Sequence, residues 1–453
     1  MRRLLVKRRE PEKTVSSEEL AALRAQILEL VEKFQTLRSP PEAFVPGETM
    51  LRYAGRVFGP EEVRNVVDAG LDFWLTAGRF TEQFEAGLAD VLGVSDVAMV
   101  NSGSSANLVA LSTLTSPKLG SRRLRPGDEV ITVAAGFPTT VAPALQNQLR
   151  PVFVDVDLGG YNALPERVAD AVGPKTRAIM LAHTLGNPWD VDAILEVARK
   201  HDLWVIEDNC DALGSKYGGK LTGTFGHLAT FSFYPAHHIT TGEGGAVATD
   251  DEELATIAAS FRDWGRDCYC AAGENNTCGR RFSQKFGNLP MGYDHKYVYS
   301  HVGYNLKATD LQAAIGCAQL ERLEGFGAAR RRNHEYLQEA LAPHAGRLLL
   351  PHATDRSDPS WFAFVITVAE DAGFTREELV AHLNARKIET RFLFSGNLLL
   401  HPGFCDIERR VVGGLENTDR ITTSTFFIGV YPGLEEAHLA HMAQSIDEFV
   451  RAH

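Results

Sequence analysis

Between about Pro46 and Lys307 short apolar runs alternate with helical stretches, and this alternation constrains the fold more than any other feature of the chain. The runs are Val97 to Val100, Glu129 to Val133, Val152 to Val156, Ala178 to Ala182, Leu203 to Ile206, Ala229 to Phe233 and Gly245 to Ala248. Runs this apolar need cover on both faces, and helices between successive strands supply it. The reading is α/β with a mostly parallel sheet in a large domain, residues 46–325. Gly265 to Ser300 interrupts the rhythm: it is rich in Gly, Cys, Asn and Tyr, follows neither the helical nor the strand period, and reads as an insertion with a function. Helical patterns resume at Ala308 to Leu323 and Arg330 to Leu341. A strand at Trp361 to Val368 and helices at Thr375 to Arg386 and Leu434 to Arg451 then predict a smaller α+β domain, residues 326–453. Residues 1–45 form an N-terminal extension. In it Ser16 and Glu19 stand at capping-box spacing ahead of an amphipathic helix to Leu37, which Pro40 and Pro41 end.

With 453 residues, 44% of them hydrophobic, core burial is no constraint. The formal charge of −12 argues against nucleic acid or an anionic membrane as partner, since both require a cationic face; a small anionic substrate is compatible through local arginines. The basic stretch Met1 to Arg9 contains only Leu4, Leu5 and Val6 as an apolar core, too short for a signal peptide. No run approaches the roughly 18 to 20 apolar residues of a membrane span, so a cytoplasmic location is expected. In that compartment six cysteines suggest metal ligands or buried thiols rather than disulfides.

Leu203 to Leu213 reads LWVIEDNCDAL, an apolar strand running into acids. Ligands of α/β sheets sit at the carboxyl ends of strands, which places Glu207, Asp208 and Asp211 where chemistry occurs; strand-end carboxylates also cap following helices. Further on come ATFSFYPAHHITTGEGGAV (Ala229 to Val247), NSGSSAN (Asn101 to Asn107) and GYNLKATDLQAAIG (Gly303 to Gly316). Together these resemble the nucleotide-sugar aminotransferases of the aspartate-aminotransferase-like fold (fold type I), over roughly residues 50 to 440. The resemblance implies a site for a pyridoxal or pyridoxamine phosphate. Asp208 would pair with the pyridine nitrogen, keeping the ring protonated as an electron sink. Gly103, Ser104, Ser105 and Ser232 would hold the phosphate, although the serines of 103–105 also suit plain helix capping. Phe137 would stack on the ring, Asp211 would stand near its hydroxyl, and Asn305 would reach the phosphate of a neighbouring subunit, implying a homodimer with shared sites.

Where those relatives carry their Schiff-base lysine, this chain has His237. Histidine forms no comparable imine, so the cofactor is expected as pyridoxamine 5′-phosphate, held noncovalently, with His237 as the base. His238 is adjacent, and the motif count places His237 at the lysine position. The His-for-Lys exchange resembles the sugar 3-dehydrases of the family, which implies removal of the C3 hydroxyl of a nucleotide-linked 4-keto-6-deoxy or 2,6-dideoxy hexose.

Cys210, Cys268, Cys270 and Cys278 are spaced C-x57-C-x-C-x7-C, which resembles the iron–sulfur 3-dehydrases and implies a [2Fe–2S] cluster. By ligand type alone, zinc fits four thiolates as well. Cys210 lies two residues past Asp208, a span of at most about 7 Å, so a metal there would border the pyridine ring, where a redox centre has a use. Electrons would then come from a separate reductase, either flavin plus iron–sulfur or a ferredoxin or flavodoxin system. Cys317 and Cys405 read as ordinary thiols. A cluster-free His-type 3-dehydrase that regains its amine from glutamate is the nearest alternative, and a cofactor-binding redox regulator a more distant one. Arg391, in ETRFLFSGNLLLHP (Glu389 to Pro402), reads either as a phosphate partner or as a solvated arginine. The nucleotide (CDP, dTDP or GDP) is not legible.

Overall fold

The computed structural model describes residues 16–38, 43–270 and 273–453. The basic N-terminal stretch and the prolines expected to end the first helix lie outside the described residues.

The alternating region supplies seven strands of one eight-stranded sheet, and Arg410–Val411, from the part expected to form the smaller domain, adds the eighth. Across it the order is Asp96–Val100, Gly245–Thr249, Leu228–Ser232, Trp204–Asp208, Thr176–Ala182, Glu129–Val133, Arg150–Val154 and Arg410–Val411. Only Gly245–Thr249 runs against the others. The central strands Glu129–Val133, Trp204–Asp208 and Leu228–Ser232 are buried at every residue, as runs covered by helices on both faces must be. Two apolar clusters provide that cover: one gathers Ile131, Val152, Ile179 and Val205 with Trp189, the other Val130, Ala178, Ile206 and Val247 with Leu111 and Phe261. Because the strands are parallel, the segments after Val100, Val133, Asp208 and Ser232 emerge at one edge. They carry Gly103, Phe137, Asp211 and His237 respectively.

A second sheet, in the order Leu348–Leu349, Ala363–Val368, Thr425–Gly429 and Arg391–Phe392, is antiparallel. Helices Leu323–Leu341, Arg376–Ala385 and Glu436–Ala452 pack on it through Leu337, Leu379, Leu383, Met442 and Ile446. Helix Ser17–Leu37 begins with the expected capping box, Ser16 Oγ accepting from Glu19 N and Glu19 Oε2 from Ser16 N. Its Arg24 bonds Asp68 and Asp72 of helix Pro60–Asp72. The 265–300 segment is aperiodic as read: among its described residues the only helix is the 3-10 turn His295–Tyr297, and one bridge, Arg266 to Tyr299, closes its base. No helix of the described residues is long and apolar enough to cross a membrane.

Candidate active site

Asp208 ends its strand with a buried carboxylate. Its Oδ2 accepts from Asn107 Nδ2 (2.8 Å) and Thr140 Oγ1 (2.7 Å), and its Oδ1 from the Cys210 amide (3.2 Å). Thr230 Oγ1 in turn donates to Asn107 Oδ1 at 2.6 Å, which fixes the carboxamide with its NH2 toward Asp208. The carboxylate is thus oriented by neutral donors but pairs with no side-chain cation. A buried charge without a counter-charge is costly, so the site fits a cationic ring nitrogen. Asn107 and Thr140 went unnoticed in the sequence, although both stand inside quoted motifs; a buried acid needing donors was the available signal.

The phosphate cradle lies where strand Asp96–Val100 turns into helix Gly103–Thr113. Ser102 caps that helix, accepting from the Ser105 amide and donating to Ser105 Oγ, so the capping role falls to a residue outside the expected set. Ser104 is exposed on the first turn and Ser232 is buried beside it in the fold's edge. The space is shaped by absent side chains. A Cβ on Gly103 would stand 2.5 Å from Ser232 Cβ and 3.1 Å from Cys210 Sγ, and one on Gly245 would meet the Ser102 carbonyl carbon at 2.5 Å. Close approach of backbone to an anion at a helix N-terminus is what such glycines permit. Phe137 precedes helix Pro138–Gln146 with a ring 51% exposed, held edge-on by Phe394 (5.7 Å, 84°), so its face is available for stacking rather than spent in the core.

His237 lies in the loop after strand Leu228–Ser232. Its Nδ1 is 3.4 Å from Asp211 Oδ1, within ion-pair reach, and its ring is 5.5 Å from that of Phe362. Burial first, then the charge of Arg330, lowers its pKa to about 3, so the imidazole is a neutral base at ordinary pH. His238 is the more deeply buried of the two, 2% exposed, and its Nε2 donates to Ser360 O at 2.6 Å, which ties its ring to the chain at Ser360. The Asp211 carboxyl thus lies beside the His237 imidazole, while among the described residues the buried Nδ1 of His237 has no hydrogen-bond partner. Glu207, the third strand-end acid, is a brace that binds His183 Nε2 and the amides of Gly223, Phe225 and Gly226. Asn305 is exposed ahead of helix Asp310–Leu320, its carboxamide accepting from Lys307. Arg391 is neither free nor merely solvated, since it pairs with Glu389 at 2.6 Å and covers the Tyr53 ring.

Burial, and next the charge of Asp208, push the Asp211 carboxyl up to about 8. An acid raised in the folded chain keeps a proton that the unfolded chain releases, so its contribution to stability falls as pH rises from about 4 to about 8. Asp211→Asn should remove that slope. Its cofactor-free melting temperature is expected to decline less than the wild type's between pH 5 and pH 8; equal declines would mean that Asp211 ionises normally.

The four-cysteine set expected from the sequence is not assembled. Cys268, Cys270 and Cys278 line one small void with Asn276, Arg281, His295 and Lys296, and Cys278 Sγ is 3.7 Å from His295 Nδ1. Cys210 is absent from that lining and sits at the phosphate cradle. Its thiol is pushed up by burial and by Asp208. Among the described residues no group of three or more His, Cys, Asp or Glu side chains is arranged to hold a metal ion. The reason is chain geometry: Cys210 is fixed by the strand end, whereas the other three follow the fold of the 265–300 segment. Cys317 is buried in a helix and Cys405 exposed, as ordinary thiols are.

Residues 58–447 match the model of the DegT/DnrJ/EryC1/StrS aminotransferase family. The chain belongs to that family. The fold is the fold-type I, aspartate-aminotransferase-like fold of these pyridoxal-phosphate enzymes. This family member is 56% identical over 427 residues to the lipopolysaccharide biosynthesis protein RfbH of Salmonella typhimurium, covering 94% of this chain and 98% of that protein. It is 55% identical over 425 residues to the dTDP-4-dehydro-2,6-dideoxy-D-glucose 3-dehydratase of Saccharopolyspora spinosa, covering 94% and 92%. A solved GDP-4-keto-6-deoxymannose-3-dehydratase with a trapped PLP–glutamate geminal diamine superposes with a TM-score of 0.79 at 29% identity, covering 87% of this chain and all of that one.

Proposed function

We propose that this chain removes the C3 hydroxyl of a nucleotide-linked 4-keto-6-deoxyhexose (or its 2,6-dideoxy counterpart), with pyridoxamine 5′-phosphate held noncovalently and His237 as the base. One observation carries the reading: an imidazole, not an amine, stands in the catalytic loop beside Asp211, in a site whose buried carboxylate Asp208 lacks a cation. When bound, the cofactor supplies an amine that condenses with the 4-keto group and a ring that accepts electron density. The chain does the rest. Asp208 holds the ring nitrogen protonated, Gly103 and Ser232 border the phosphate, and Phe137 offers a stacking face. Asp211 would stand beside Nδ1 of His237, and Nε2 would take up the proton released in the reaction and give it to the departing hydroxyl, which leaves as water. The 3-dehydratase names of relatives at 55% and 29% identity support this substrate class. The exposed Asn305 would complete the phosphate site of a second copy, making the working unit a homodimer.

Return of the cofactor to its amine form divides two versions. A cluster-free cycle that draws the amine from glutamate is supported by the trapped glutamate species in the solved relative and by Cys210 standing outside the void that the other three cysteines line. A [2Fe–2S] cluster fed by a separate reductase is favoured by one observation, the convergence of Cys268, Cys270 and Cys278 on a single void. The deciding experiment gives CDP-, dTDP- and GDP-linked 4-keto-6-deoxy sugars to protein prepared in two ways. One preparation is metal-free with glutamate; the other is anaerobically reconstituted with iron and sulfide and given a chemical electron donor. The glutamate cycle is expected to release deoxygenated sugar without iron. Binding of two irons and two sulfides per chain, with turnover only when electrons are supplied, would establish the cluster instead. Failure of both preparations on all three sugars and on their 2,6-dideoxy counterparts would overturn the 3-dehydratase reading.

A further inference from the structure

Arg330, on helix Leu323–Leu341, is 2% exposed and has no carboxylate at ion-pair distance. Burying a guanidinium is costly unless its donors are used; here Nη1 and Nη2 go to backbone carbonyls of two separate segments, while Nε has no partner among the described residues. Nη1 donates to Trp361 O (3.2 Å) and Phe362 O (3.1 Å), where the chain enters the strand Ala363–Val368 of the smaller sheet. Nη2 donates to His237 O (3.1 Å) in the catalytic loop. A second tie joins the same two segments, since His238 Nε2 donates to Ser360 O. Segment 360–362 is itself anchored, with Ser360 N donating to Ser215 Oγ (2.8 Å) and Phe362 N to Leu185 O (2.8 Å). If bulk alone were needed at position 330, an aliphatic chain would provide it; a planar fork that reaches three carbonyls at once is particular to arginine.

We propose that Arg330 and His238 form a two-point clamp of positioning residues that sets where the His237 ring stands, by locking the catalytic loop to the 360–362 segment. The inference rests on His237 being the base, as proposed above. A displacement of the base by about 1 Å is enough to cost on the order of 10²-fold in rate, so the clamp acts on turnover rather than on substrate affinity.

The test uses Arg330→Lys, which keeps the charge and loses the fork, Arg330→Gln, and His238→Asn, a milder change should the buried arginine variants not fold. The first readout is the ring-nitrogen NMR signal of His237 in the cofactor-free protein, identified by its loss in His237→Asn. It reports position whatever reaction the enzyme performs, so its failure is distinguishable from failure of the proposed function. The signal is expected to shift or broaden in each folded variant. In the pyridoxamine-phosphate-loaded enzyme kcat should fall about 10- to 100-fold, with KM for the nucleotide sugar within about threefold. Variants that lose melting temperature while the His237 signal and kcat stay at wild-type values would reduce the clamp to a stabilising contact and overturn the proposal.

Discussion

His237→Asn is expected to retain pyridoxamine 5′-phosphate and to lose about 10²- to 10⁴-fold in exchange of the cofactor's methylene proton with solvent deuterium when nucleotide sugar is present. Asparagine places a polar atom at the position of Nδ1, stops short of Nε2 and has no basic nitrogen, so the change removes proton transfer. With the imidazole pKa lowered to about 3 by burial and by Arg330, the residue is in its base form throughout the neutral range. A lowered histidine is neutral when folded at pH values where the unfolded chain is protonated. Its contribution to stability is therefore present above about pH 6.5 and lost as pH falls toward 3, so no acidic limb from His237 should enter the rate between pH 6 and pH 8. His238 is a poor substitute, because its ring is 2% exposed and tied through Nε2 to Ser360 O. Exchange near the wild-type rate in the variant would mean that another group is the base.

The second large effect is expected at Asp208, and it has opposite signs in two measurements. Asp208→Asn should weaken cofactor binding by about 10- to 100-fold, the magnitude of a lost hydrogen bond between charged partners, and slow turnover further because the ring nitrogen is no longer held protonated. The same substitution should leave the cofactor-free protein as stable as the wild type or more so. It replaces a buried carboxylate that has no cation with an amide of equal size, whose oxygen still accepts from Thr140 and Asn107. Titration of pyridoxamine phosphate by tryptophan fluorescence, alongside thermal melts of the cofactor-free proteins, checks both. A parallel loss of stability and affinity would make Asp208 a structural brace in the manner of Glu207.

Glu207 and Asp208 show where reading the sequence stops. They are neighbours in one strand, and because successive side chains of a strand point to opposite faces, one is buried against His183 and the amides of 223–226 while the other faces the site. Nothing local distinguishes them. His237 and His238 are a second such pair, separated by the motif count in the sequence and, independently, by the carbonyl that His238 occupies in the structure. The cysteines fared differently. Their spacing was legible, but whether four thiols meet depends on the path of an aperiodic segment, for which periodicity holds no information, and the structure gathers three of them.

The sequence by itself determined the parallel sheet, the edge at which the chemistry lies, and the replacement of a lysine by His237. Each depends on local pattern: buried runs need cover on both faces, parallel strands deliver their following loops to one edge, and a motif fixes its positions by counting. Only the tertiary structure decided which acid is braced by backbone amides and which ends the strand with neutral donors alone, which histidine is tied to a carbonyl, and that Arg330 joins the His237 loop to the smaller sheet. These are questions of burial and of partners far apart in the chain, such as the Arg330 guanidinium and the carbonyls of His237 and Trp361. A side chain's charge state and orientation follow from the groups that surround it in space, and the order of residues along the chain does not contain them.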